Sequence, residues 1–167
     1  MSFGDKEIVP KTVLFLGNSY TAGSAHFIKE VFKRETSGYK LAFLNPGGVD
    51  LKRHLTSEQT LRLLESRRWD FVVLQGQSQK SGLGGKYTRE FQEAVAGLCK
   101  LSRKQGAKPC LYMTWGRRKG DRQNLDAYPD FLTMHQKISD QYKRAARAND
   151  ASVAPVGQAF AHLHATD

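Results

Sequence analysis

Gly17-Asn18-Ser19-Tyr20-Thr21 closes a short apolar run, Val13-Leu14-Phe15-Leu16, and stands just before a helical pattern. A serine in that setting is a candidate nucleophile. A sharp turn aims its backbone N–H groups outward, and a helix N-terminus favours a developing anion. Gly47 and Gly48 follow a second apolar run, where a missing side chain lets a substrate oxygen approach a backbone N–H. Gln75-Gly76-Gln77-Ser78 follow a third run and offer side-chain amides as donors. A nucleophile, a glycine N–H and an amide are the parts of an oxyanion site, provided that three strand ends meet.

The elements between these residues supply that arrangement. Residues 13–16 read as a buried strand and 22–35 as a helix with Phe27, Ile28, Val31 and Phe32 on one face. A second strand, 40–44, ends at Asn45-Pro46-Gly47-Gly48, and Thr56-Ser57-Glu58-Gln59 has capping-box form before a helix burying Leu61 and Leu64. The apolar 71–74 reads as a central strand. Phe91, Ala94, Val95, Leu98 and Cys99 then mark a helix ended by Gly106. A strand over 109–113, a long helix striped by Phe131, Met134, His135, Ile138, Tyr142 and Ala145, and a strand over 152–156 complete the pattern. Five strands with four intervening helices predict an α/β fold: a mainly parallel sheet covered on both faces, with no helix behind the fifth strand. Ligands of such sheets bind at the carboxyl ends of the strands, the edge on which Ser19, Gly48 and Gln77 would fall.

A chain of 167 residues with no repeat or linker reads as one domain, 1–167. Its net charge of +10 favours polyanions. However, the basic residues fall in short clusters such as Lys33-Arg34 and Lys143-Arg144 on helix faces, which reads as solvated surface and not as a specific nucleic-acid site. No run approaches the ~18 apolar residues of a membrane span. Met1 to Lys11 has no apolar core of a secretory signal, so a cytoplasmic location is the default expectation. Cys99 and Cys110 have neither metal nor redox spacing and read as reduced core thiols. No His, Asp or Glu cluster has ligand spacing, and no cofactor or metal is expected. Gly82-Leu83-Gly84-Gly85-Lys86 fails the phosphate-loop pattern and reads as a mobile loop over the pocket. Trp115 either walls the pocket or packs beneath its loop. Arg117-Arg118-Lys119 with Arg122 either meets an anionic substrate group or is solvated.

Taken in order, the strand-end motifs resemble the blocks of the SGNH (GDSL-type) hydrolases. Gly17-Asn18-Ser19-Tyr20-Thr21 is similar to block I in its Gly-Asn-Ser variant, and Gly47-Gly48-Val49-Asp50-Leu51 to the glycine block. Val73 to Ser78 is similar to the third block, with Gln77 where asparagine is commoner. Met113-Thr114-Trp115-Gly116 and Ala154-Pro155-Val156-Gly157 are similar to later landmarks of a bacterial subgroup. The resemblance covers about residues 12–160. It implies a flavodoxin-like three-layer fold and ester hydrolysis through a Ser19 acyl-enzyme. The Ser19 N–H, the Gly48 N–H (or Gly47, one residue away) and the Gln77 side chain would hold the oxyanion. Asn18, Tyr20, Gly47, Ser78 and Trp115 would line the substrate, a small-molecule or carbohydrate ester.

The family draws its general base from an Asp-x-x-His segment near the C-terminus, and no Asp in this sequence is followed by His three residues later. Three explanations stay open: a segment beyond Asp167, an inactive protein that keeps the pocket and binds an acylated or acidic ligand, or a site rewired around another histidine. His135 reads as core, His26 as surface, and His54 as either a pocket-rim residue or a partner at a helix start. His162 and His164 are the best internal substitutes, against a solvated tail. An uncovered sheet face near the fifth strand predicts association into a homodimer.

Overall fold

A computed structural model describes residues 9–35 and 38–166. Residues 1–8, most of the segment read for a secretory signal, and Asp167 lie outside the described residues. Five strands, β1 (Lys11–Leu16), β2 (Tyr39–Leu44), β3 (Phe71–Leu74), β4 (Lys108–Tyr112) and β5 (Ser152–Ala154), form one sheet. Their order is β2-β1-β3-β4-β5 and every pairing is parallel. Between the strands run α1 (Ser19–Glu35), α2 (Leu51–Thr56), α3 (Glu58–Glu65), α4 (Gly85–Lys104) and α5 (Phe131–Ala148), and α6 (Val156–Thr166) follows β5.

The strands separate two cores by their period of two. Leu14, Leu16, Val72, Leu74 and Leu111 face α2 to α5, where Leu51, Leu64, Val95, Leu98, Met134 and Ile138 bury them. Val13, Phe15, Val73 and Tyr112 face the other way, toward Ile28 and Phe32 of α1 and Val156 of α6. The result is the three-layer α/β fold expected from the sequence. On the second face, Ile28 and Phe32 on one side and Ala154 and Val156 on the other bound an apolar groove of about 370 Å³ over Val13, Phe15, Val73 and Tyr112.

The structure differs from the sequence expectation in three places. Helix α1 begins at Ser19 and not at 22, because the Asn18 side chain accepts from the Tyr20 N–H at 3.1 Å and the Asn18 carbonyl from the Ala22 N–H at 3.0 Å. The segment after β5, expected to carry no helix, forms α6. It packs against α5, where His164 stacks on Phe131 with ring centroids 4.0 Å apart. A bare glycine permits that approach, since a Cβ at Gly157 would run into the Thr114 carbonyl oxygen. Finally, the last two residues of the 82–86 segment, Gly85 and Lys86, already belong to α4, while its start is packed. A Cβ at Gly82 would lie 2.8 Å from the Lys137 backbone, and the Thr88 hydroxyl donates to the Ser81 carbonyl at 2.7 Å.

Candidate active site

The register of the sheet brings the first three strand ends together. Leu16 lies opposite Leu44 on one side and Leu74 on the other, so the turns after β1, β2 and β3 leave one edge side by side. Gly17 N–H donates to Leu44 O at 3.2 Å and Gln75 N–H to Leu16 O at 2.9 Å, locking the three ends. Strand β1 is also where the strand order reverses, the place at which such sheets carry ligands.

Ser19 is exposed at this edge as the first residue of α1. Its turn is built around Gln75, 1% exposed, whose Oε1 accepts from Asn18 N–H at 2.9 Å, Thr21 N–H at 3.3 Å and the Thr21 hydroxyl at 2.9 Å. Gly17 is glycine because of this packing, as a Cβ there would lie 2.7 Å from both Gln75 Oε1 and Thr21 Oγ1. Among the described residues, the amides of Asn18, Tyr20, Thr21 and Ala22 all have acceptors in the chain, and that of Ser19 has none. A helix leaves such donors at its N-terminus for an outside acceptor.

The other expected site residues divide. Gly48 is exposed in the turn after β2, with a left-handed φ of +72° that favours glycine, beside an exposed Gly47. Asn18 is buried and turns inward, its Nδ2 donating to Val49 O at 2.9 Å, so it ties the nucleophile turn to the glycine loop and faces no cleft. Ser78 is also buried. Gln77 is half-buried and folds its carboxamide into its own loop. There Oε1 accepts from Gln79 N–H at 2.7 Å and Lys80 N–H at 3.0 Å, and Nε2 donates to Gln79 Oε1 at 2.9 Å.

Trp115 is half-buried and lies between two rings, tilted against Tyr20 at 5.0 Å and stacked on Phe160 at 3.7 Å. Trp115 thus links the start of α1 to α6 through ring contacts. The basic loop is organised by Asp121, fully buried, which accepts from Gln79, Asn124 and Arg117. Burial alone would raise the pKa of Asp121, but those donors hold it below the usual carboxylate range. Arg118, Lys119 and Arg122 remain exposed.

The histidines are spread through the fold. His26 is exposed on α1, two turns and roughly 10 Å along the axis from Ser19. His135 is buried in α5, 5.6 Å from Phe131, and burial lowers its pKa. His162 is exposed on α6, and His164 is half-buried against Phe131. Sequence reasoning left the partners of two contributors unassigned. Gln75 appeared only as one amide of a motif, and His54, read as a pocket-rim residue or a partner at a helix start, is buried against the Ser19 turn. A fully apolar strand followed by a glutamine was the available signal for Gln75, whereas nothing local signals His54.

No protein-family model matches the chain, and no curated protein does. Solved structures do. A Slackia heliotrinireducens protein assigned to the SGNH hydrolases matches at 25% identity and a TM-score of 0.77, over 92% of this chain and 83% of its own. This chain has the SGNH-hydrolase fold. A DUF4886 family protein of Bacteroides uniformis matches at 19% identity and a TM-score of 0.73, over 90% of this chain and 69% of that one. The psychrotrophic esterase EstA of Pseudoalteromonas sp., in a structure inhibited by monoethylphosphonate, matches at 16% identity and 0.64, over 86% and 75%. The SGNH fold is thus reached from strand-end motifs and from backbone geometry alike. Among the described residues, no helix is long and apolar enough to cross a membrane.

Proposed function

We infer that the chain carries the nucleophile and oxyanion half of a serine ester hydrolase. Ser19 Oγ adds to the ester carbonyl as its proton passes to a base. Collapse of the tetrahedral intermediate expels the alcohol, which takes that proton. Water then cleaves the acyl-enzyme, releasing the acid and restoring Ser19. The observation that carries this reading is the unpaired Ser19 amide at the exposed start of α1, beside the Gly48 turn. The positive end of α1 adds to it. Such donors are typically worth ~2.7–4 kcal/mol each in the transition state. In this reading Gln77 Nε2 contributes its second hydrogen, the first being held by Gln79.

The proton acceptor comes, in this proposal, from an Asp-x-x-His segment following Asp167, as the resemblance implies. The substrate is a small-molecule or carbohydrate ester, bound against Tyr20 and Trp115. The test is a fluorophosphonate probe with mass spectrometry of the Ser19 peptide, on residues 1–167 and on a protein extended through the downstream coding sequence. Labelling of the extended protein, lost in Ser19→Ala, is expected. An extended protein that stays unlabelled but binds acylated or acidic ligands would overturn the enzyme reading in favour of an inactive pocket.

A further inference from the structure

His54 is 2% exposed, on α2, and makes no contact with solvent-facing chemistry. Its Nε2 lies 2.7 Å from the carbonyl oxygen of Gly17, and its Nδ1 lies 3.0 Å from Thr60 Oγ1. A carbonyl only accepts, so Nε2 carries the proton. Nδ1 is then the acceptor, and the Thr60 hydroxyl donates to it. Thr60 is 1% exposed, on α3, so the whole relay is sealed from water. A buried imidazole with both nitrogens satisfied has one tautomer and one orientation.

Gly17 O sits two residues before Ser19, next to the Asn18 and Thr21 amides that Gln75 holds. The turn is therefore held twice, by a side-chain acceptor that takes its N–H groups and by a side-chain donor that takes its carbonyl. The second hold has a particular origin. Helix α2 is capped by Asp50, whose side chain accepts from Arg53 N–H at 2.9 Å, and Asp50 belongs to the glycine block. His54 is the next turn of that helix. The path from Gly48 to Asp50, along α2 to the imidazole and across to Gly17 joins the two loops that present the oxyanion donors. The bond from Asn18 Nδ2 to Val49 O closes the same ring from the other end.

The geometry points to His54 as a positioning residue: its Nε2–H, oriented by Thr60, fixes the Ser19 turn relative to the Gly48 loop. It exchanges no proton and touches no substrate. The inference rests on the reading of Ser19 as nucleophile for its functional consequence. The link between His54 and Gly17 stands on its own distances. A residue in this role acts on the reactivity of bound ligand, because a misplacement of about 1 Å between nucleophile and oxyanion donor can cost roughly a hundredfold in rate.

The test uses the protein extended through the downstream coding sequence, the form in which Ser19 is expected to label, and its variants His54→Leu, His54→Gln and Thr60→Val. Long-range proton–nitrogen NMR of the imidazole is expected to report the Nε2–H tautomer, and an Nδ1–H tautomer would overturn the assignment. Gln can place an N–H where Nε2 stands, and Leu cannot. In fluorophosphonate labelling, His54→Leu is expected to lower the maximal inactivation rate by tenfold to about a hundredfold with little change in half-saturation, and His54→Gln to recover most of it. Equal rates for Leu and wild type at matched folding would overturn the positioning role. Should His54→Leu fail to fold, the near-isosteric Thr60→Val, which removes only the orienting donor, is expected to show the same rate loss. An unchanged rate there would likewise overturn the proposal. If wild-type Ser19 takes no label, the nucleophile reading falls and amide exchange at residues 17–20 judges His54 alone. Faster exchange in Leu than in Gln supports the role, and equal exchange ends it.

Discussion

Asp50 and Lys80 join the loop after β2 to the loop after β3 through a carboxylate–ammonium pair, while the other Asp50 oxygen caps α2 through Arg53 N–H. Both loops leave the edge of the sheet at which Ser19 is exposed, so this pair ties the two loops together there. Burial alone would raise the Asp50 pKa, but the Lys80 hydrogen bond, the Arg53 N–H and the charges of Lys80 and Lys52 bring it below its ordinary 3.8. A depressed carboxyl stabilises the fold above the unfolded pKa and loses that contribution as pH falls through the folded value. Asp50→Asn keeps a good cap without the charge, whereas Asp50→Ala is expected to cost about 1 kcal/mol from the cap alone. Urea titrations at pH 7 and pH 3 check this: the gap between wild type and Asp50→Asn should be narrower at the lower pH.

Gln75→Met removes the acceptor of three donors inside the Ser19 turn. Each buried donor left unmet costs ~1–3 kcal/mol, so a loss of about 3 kcal/mol or more is expected. Chemical denaturation measures it, and a loss below about 1 kcal/mol would mean that water or a neighbour replaces the amide.

Gly17→Ala forces a methyl to within 2.7 Å of Gln75 Oε1 and Thr21 Oγ1. Overpacking of this kind costs ~1–3 kcal/mol, and here it also displaces Gln75 from the turn. Ser19→Ala, at an exposed position, should by contrast change stability by no more than about 0.5 kcal/mol. Thermal melts of the two variants separate architecture from chemistry at adjacent positions.

Burial lowers the pKa of both His54 and His135 from their ordinary 6.5. A lowered imidazole pKa means that the unfolded chain binds more protons, so stability is full above pH 6.5 and declines as pH falls below it. Each unit of separation is worth about 1.4 kcal/mol at full effect. Denaturation midpoints between pH 8 and pH 5 should fall in wild type and flatten partly in His54→Gln. A midpoint that rises toward pH 5 contradicts both burials.

The groove beside α1 leaves a contiguous apolar surface on the sheet, with Phe27 and Val31 exposed on α1 nearby. Surfaces of this kind bind apolar dyes and favour association. Sedimentation of residues 1–167 is expected to show mass rising with concentration, with dye fluorescence falling in step. A monomer that leaves the dye dark would count against the homodimer expected from the sequence.

Much of this architecture was legible because its signals are local. Short apolar runs mark the strands, β1 and β2 being closed by Gly17 and Asn45, and their parallel order puts Ser19, Gly48 and Gln77 at neighbouring ends. The helix α2 was not legible, since its six residues are too short to show a period. The helix α6 was overlooked because its apolar residues are scattered: Phe160 and Leu163 remain exposed, and its docking depends on Gly157 against Thr114. Within the site, the motif does not show that the Asn18 and Gln77 side chains also brace the turn and the loop that carry them, which depends on distances across 31 residues for Asn18 and two for Gln77. His54 lies 37 residues from the carbonyl it holds, and no spacing rule reaches that far.

The contacts that hold Ser19 in place come from positions 49, 54, 60 and 75, whereas Trp115 and Phe160, which stack beside it, come from the later half of the chain. The frame and the stacked rings therefore share no residue. Substitutions at 115 and 160 leave the hydrogen bonds around the Ser19 turn untouched, so the rings and the turn can be altered one at a time.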